Sequence, residues 1–214
     1  IQWIYKLLTV QNVKFKFLKT KGDSNFTTFA EAPLIVMDLK KHRNQQIIAF
    51  TIKKAGGSID YYTLFKILYF AEKKHLAEFG EGIIDDYFHA LPHGPVPTAL
   101  FDEVKALKNG IRSLNQIPES VVISNHNLIL PDSTNVDMDF ISESEIECIE
   151  SSIKENHGLD FGELKEKSHG YAWEINKAGK ARMSHSDMAA EDGLDKSIDD
   201  YLQFVKDNKR AFNQ

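Results

Sequence analysis

A chain of 214 residues is long enough to bury one sizeable core. Its content of 42% hydrophobic and 27% charged residues is ordinary for a globular fold, and the formal net charge of −5 argues against general affinity for phosphate backbones or anionic lipid. A single cysteine, Cys148, excludes an internal disulfide framework and any Cys-rich zinc site. No apolar run approaches the roughly 20 residues of a membrane span, and the N-terminus lacks the pattern of a signal peptide. The expected location is cytoplasmic, with no membrane partner.

Residues 1–36 differ in character from the rest. An alternating VKFKFLKT sets Val13, Phe15 and Phe17 against Lys14 and Lys16, and a polar KGDSNFTT follows. This region is either an edge strand or an upstream extension, with Met37 as the natural start. The main domain is expected over 37–210.

DLKKHRNQQIIAFTIKKAGG predicts a helix, with Asp38 as a possible N-cap, Lys53 and Lys54 suited to the C-terminal dipole, and Gly56 as its stop. The strongest element is DYYTLFKILYFAEKKHLAEFG, between an N-cap Asp60 and a terminating Gly80. Its apolar positions Tyr61, Leu64, Phe65, Leu68, Ala71, Leu76 and Phe79 fall close to a helical period, widened by Ile67 and Phe70. This helix is expected to be the buried hub.

HALPHGPVP then packs three of the six prolines and two of the eight histidines into nine residues. Proline fixes φ and glycine opens conformations closed to other residues, so the stretch predicts a loop of one set shape. Pro97 suits the first turn of a helix over TALFDEVKALKNG, ending at Gly110. SVVISNHNLILP reads as two short strands around Asn125-His126-Asn127. Ser142 with Glu145, and Asp160 with Glu163, have capping-box spacing. YAWEINKAG, SDMAAEDG and KSIDDYLQFVKDN read as short helices. The fold class is mostly α: a single compact helical domain with a small β-hairpin.

The residues offer no enzyme signature. His89 and His93 are four apart, but Pro92 and Gly94 break any helix that would bring them together as metal ligands. Cys148 lies among glutamates that raise a thiol's pKa. No G-x-S-x-G turn and no phosphate-binding glycine loop occurs. The acidic pairs Asp85-Asp86 and Asp199-Asp200 read as solvated surface. No cofactor and no metal are expected. Nucleic acid stays open, because Lys40–Arg43, Lys53 and Lys54 share one helix and Gly56-Gly57 loosely resembles the turn of a helix-turn-helix.

LFKILYFAEKKHLAEFG followed by DDYFHALPHGPVP resembles the SocA-like antitoxin family, the Panacea domain. Its members carry Leu-x-Lys-Leu-Leu-Tyr-Phe-Ala, matched here by Leu64, Lys66, Leu68, Tyr69, Phe70 and Ala71. An acidic-aromatic-x-Ala segment and Gly-Pro-Val follow, here Asp86, Tyr87, Ala90 and Gly94-Pro95-Val96. SHGYAWE is similar to a later Ser-His-x-x-x-Trp, giving Ser168, His169 and Trp173. The resemblance is good over 42–108, looser to 190 and absent over 1–36. Phe65 replaces a commonly polar residue, and His93 precedes the Gly-Pro-Val; both departures leave the partner's identity open. The resemblance implies a helical, non-enzymatic antitoxin that neutralises a neighbouring-gene protein toxin by binding it. A related mode is a proteolytic adaptor delivering the toxin to a protease. The alternative from the residues is a DNA-binding regulator or autorepressor. Homo-oligomerisation is undetermined.

For Lys66 the simpler expectation is a salt bridge to Asp86 or Glu72, and the sharper one is donation to carbonyls of the proline loop. The Tyr69 hydroxyl is a second candidate to hold that loop. Gly94 and Pro95 would shape a rigid platform, with Leu91, His93 and Val96 presented as a preorganised surface. His169 and Trp173 are expected to be structural.

Overall fold

The computed structural model describes residues 32–112 and 116–193. The alternating strand over 13–17 and the helix from KSIDDYLQFVKDN, with Asp199-Asp200, lie outside the described residues. Helix α1 (Ala32–Lys54) runs through Met37, so Asp38 lies inside the helix and does not cap it. Pro33 is compatible with the earlier start, since a first-turn amide has no intrahelical acceptor to lose. Gly57 and Gly56, both at positive φ, reverse the chain after Lys54 by donating their amides to Ile52 and Lys53.

Strand β1 (Ser58–Asp60) leads directly into helix α2 (Tyr61–Phe79). Asp60 caps α2 by accepting from the Tyr62 and Thr63 amides, and Gly80 ends it in the left-handed region. Helix α2 is buried from Leu64 to Glu72 without interruption. It packs against β3, α4 and α7. Its apolar stripe is wide because neighbours surround it, as expected of a central helix.

Beyond α2 come β2 (Phe88–Leu91), β3 (Gly94–Pro97), α3 (Thr98–Lys108), β4 (Val122–Ser124) and β5 (Asn127–Ile129). Helices α4 (Glu143–Asn156), α5 (Phe161–Lys167), α6 (Tyr171–Asn176) and α7 (His185–Ala190) complete the fold, with short 3-10 turns at Met138–Phe140 and Lys177–Gly179. The domain is mostly α. Both predicted capping boxes form, Ser142 with Glu145 on α4 and Asp160 with Glu163 on α5.

The sheet content exceeds the single expected hairpin. Strands β4 and β5 turn at Asn125, at φ 54°, and β5 also pairs with β1 to give the antiparallel order β1-β5-β4. HALPHGPVP is a second hairpin, with Phe88 opposite Pro97 and Leu91 opposite Gly94.

Between α2 and this hairpin the irregular segment 81–87 cannot pair its own backbone, so side chains do it. His75 donates through Nδ1 to the Glu81 carbonyl at 2.7 Å, and Arg43 donates to that of Ile83. One carboxylate oxygen of Glu72 accepts from the Ile83 and Ile84 amides at 2.7 and 3.1 Å. Burial pushes the Glu72 carboxyl up to about 7, against the opposing pull of those amides and Arg43. Asn44 accepts from the Asp85 amide.

Asp86 is not the solvated acid that its sequence context suggested. It is buried, with one oxygen accepting from Tyr87 and Ala99 and the other from Leu100 at 3.0 Å. It thereby caps α3 from outside, where the residue at the N-cap position, Pro97, has no side chain able to do so. Asp86→Ala leaves these amides without their acceptor and is expected to lower unfolding free energy by roughly 2 kcal/mol. Urea denaturation measures this directly; an unchanged midpoint would show that the cap contributes nothing.

Candidate functional site

The hairpin β2–β3 lies across α2 and is held from beneath by Lys66. The Lys66 side chain is fully buried, and its ammonium donates to the Pro95 carbonyl at 2.9 Å. The expected salt bridge does not form. Asp86 is saturated by backbone amides, and Glu72 is directed at the 83–84 turn. Proline has no N–H to offer a neighbouring strand, but its carbonyl still accepts, and the lysine uses it. With no carboxylate partner, burial lowers the Lys66 ammonium to about 7.

Gly94 is at φ +96°, where other residues are strained. A Cβ there would stand 2.4 Å from both Lys66 Nζ and Ser168 Oγ. The glycine therefore brings three elements together: the hairpin, the hub helix and the end of α5. Ser168 is itself buried and donates back to the Lys165 carbonyl at 3.0 Å.

Two aromatic residues hold the hairpin tip. The Tyr62 hydroxyl donates to the His93 carbonyl at 2.7 Å, and burial followed by the charge of Asp60 pushes this phenol up to about 12. Trp173 Nε1 donates to the Leu91 carbonyl at 2.8 Å. The Trp173 ring stacks on His169 with centroids 3.5 Å apart and planes within 2° of parallel. Burial, then the ammonium charges of Lys66 and Lys165, hold the His169 imidazole below its ordinary pKa. His169 and Trp173 thus support the tip.

The presented surface differs from the expected one. His93 is exposed, Leu91 is half-buried, and Val96 is 5% exposed and belongs to the core. All four residues of β3 are buried, because one face rests on α2 and the other is covered. Phe161, at the first position of α5, supplies what Val96 does not. It is 52% exposed, 4.4 Å from the Tyr62 ring and 5.5 Å from the His93 ring. Its sequence signal was only its place after the N-cap Asp160, where side chains project outward. The Tyr69 ring packs on Phe88 at the base of the hairpin, with centroids 5.6 Å apart, but its hydroxyl does not hold the hairpin backbone. That hydroxyl donates to Glu191 at 2.7 Å, securing the end of α7.

The other candidates sit elsewhere. His89 contacts Thr98 through Nδ1, away from the tip residue His93, and no group of three or more metal-ligating side chains occurs among the described residues. Cys148 is buried, and burial, then Glu78, pushes its thiol up to about 11. On α1, Lys40 pairs with Asp85, Arg43 with Glu145, and Lys54 with Glu150, while Lys53 donates to the Thr134 carbonyl. These cations already have partners, and β1 follows the glycine turn instead of a second helix. No helix among the described residues is long and apolar enough to cross a membrane.

The family model described as "Antitoxin SocA-like, Panacea domain" matches residues 64–174, just over half of the chain, and covers the hub helix from Leu64 onward, the hairpin and Trp173. The chain belongs to this family of SocA-like antitoxins. No curated protein and no solved structure matches it.

The Lys66 amine has a pH signature. Its folded pKa of about 7 lies below the ordinary 10.5, so in that interval the unfolded chain binds more protons than the folded one. Lys66 therefore makes stability rise as pH increases from about 7 toward 10.5, and its penalty is fully present below 7. Lys66→Met is expected to flatten that rise. Urea unfolding at pH 6, 8 and 10 measures it; parallel profiles for the two proteins would mean that the amine keeps its charge without penalty.

Proposed function

We propose that this protein neutralises a protein toxin by binding it stoichiometrically, without catalysis, through the surface formed by the hairpin tip and α5. The observation that carries this reading is the pinned tip: His93 and Phe161 are accessible, while the backbone beneath them is tied by Lys66, Tyr62 and Trp173. A binding surface already held in shape loses little conformational entropy on association, and aromatic side chains at its centre are the residue types that carry binding energy. Membership of an antitoxin family supports the general role. Lys40, Arg43, Lys53 and Lys54 of α1 are engaged within the chain, which favours this reading over a DNA-binding regulator, whose affinity would depend on free cations meeting phosphates.

The test is growth rescue. The neighbouring open reading frame is expressed alone and then with the full chain, while viability, toxin abundance and co-purification are followed. Rescue with an isolable complex and unchanged toxin abundance supports occlusion; rescue with toxin loss supports delivery to a protease. In the complex, His93→Ala together with Phe161→Ala is expected to weaken affinity by about tenfold or more. Both side chains are accessible, so the variant should keep the parent's thermal midpoint. Full affinity in a folded double variant places the interface elsewhere.

A further inference from the structure

The hairpin has a third, one-residue strand. After α6, Lys180 takes φ +48° and its amide donates to the Lys177 carbonyl at 3.2 Å, closing a left-handed turn. The next residues run antiparallel to β2. The Ala90 amide donates to the Ala181 carbonyl at 3.1 Å, the Met183 amide donates to the Phe88 carbonyl at 2.8 Å, and Arg182 stands opposite His89. In this pattern the bonds of residues 181 and 183 face β2, so the N–H and C=O of Arg182 face the other way. Neither group has a hydrogen-bond partner among the described residues.

Three cations cluster on the turn that leads into this edge. Lys177, Lys180 and Arg182 fall within six residues and are all exposed, in a chain of net charge −5. Lys177 pairs with Glu174 at 2.5 Å, whereas Lys180 and Arg182 have no carboxylate partner among the described residues. The Arg182 guanidinium lies 3.1 Å from the ring centroid of Tyr87, itself 51% exposed. A guanidinium seated on an aromatic face still has N–H donors left for a carboxylate.

We propose that the Arg182 edge, with Lys177, Lys180 and Arg182 around it, docks an extended acidic segment of a partner protein as an added strand. The open backbone pair supplies the register that β-augmentation needs, and the cations select for carboxylates. A peptide fits better than a nucleic acid, because a nucleic acid has no backbone amides to pair with the edge. The edge adjoins the hairpin on the β2 side, opposite His89, and its test needs no toxin.

The probe is a fluorescein-labelled nine-residue peptide alternating Glu and Thr, titrated with the full chain in a polarisation assay. Two analogues carry N-methyl groups on alternate backbone amides, one in each phase of the alternation. The peptide is expected to bind, and one methylated phase but not the other should weaken binding by about tenfold or more, since only one row of amides faces the edge. Lys180→Glu with Arg182→Glu should weaken it comparably, with an unchanged circular dichroism melt as the check on folding. If that variant misfolds, the two analogues still decide. No binding, equal binding by both methylated phases, or tighter binding of oligothymidine than of the peptide overturns the proposal.

Discussion

The structure depends on how a chain segment rich in proline and glycine satisfies its backbone inside a helical core. Residues 81–97 have no helix of their own and only a short hairpin, yet most of this segment is buried between α1, α2 and α3. Buried amides and carbonyls without partners cost free energy comparable to a lost hydrogen bond. Ionisable and polar side chains of the helices meet that need: Lys66 for the Pro95 carbonyl, Glu72 for the Ile83 and Ile84 amides, Arg43 for the Ile83 carbonyl. Asp86 does the same in the other direction, from the segment to α3.

Two buried groups carry the consequences. Burial shifts Lys66 and Glu72 in opposite directions, each to about 7, because each loses hydration without gaining an opposite charge at contact distance. Lys66 favours folding at higher pH and Glu72 at lower pH, since each then becomes neutral. Their benefit is geometric. Both fix backbone atoms that no strand or helix partner reaches, and the Gly94 position leaves room for the lysine head group beside Ser168. The hairpin tip inherits that rigidity, and with Tyr62, Trp173 and Phe161 it becomes a small ordered surface on a mostly helical domain.

Much of the scaffold was legible from the sequence. Asp60, Gly80 and the apolar period between them delimited α2, and both capping boxes marked helix starts, because these signals are local. The pairing of β1 with β5 was not legible, since three residues show no alternation and the partners lie about seventy positions apart. HALPHGPVP was recognised as rigid but not as a strand pair, because prolines mask strand propensity. For the same reason nothing indicated which way Val96 would point. Asp86 was misread because its helix lies on the far side of a hairpin. The family motif located Lys66 and Gly94 but not their shared contact; the capping box around Phe161 marked a helix start and not an exposed ring, and the Arg182 edge lies outside any motif that was read.

We propose that this tip, held by Lys66, is where a toxin binds. Amide hydrogen exchange of the free chain and of its complex with the toxin tests it most directly. New protection is expected at residues 89–94 and at the start of α5, with α1 unchanged. Protection confined to Lys40–Arg43 and the rest of α1, with an unaltered hairpin, would contradict it.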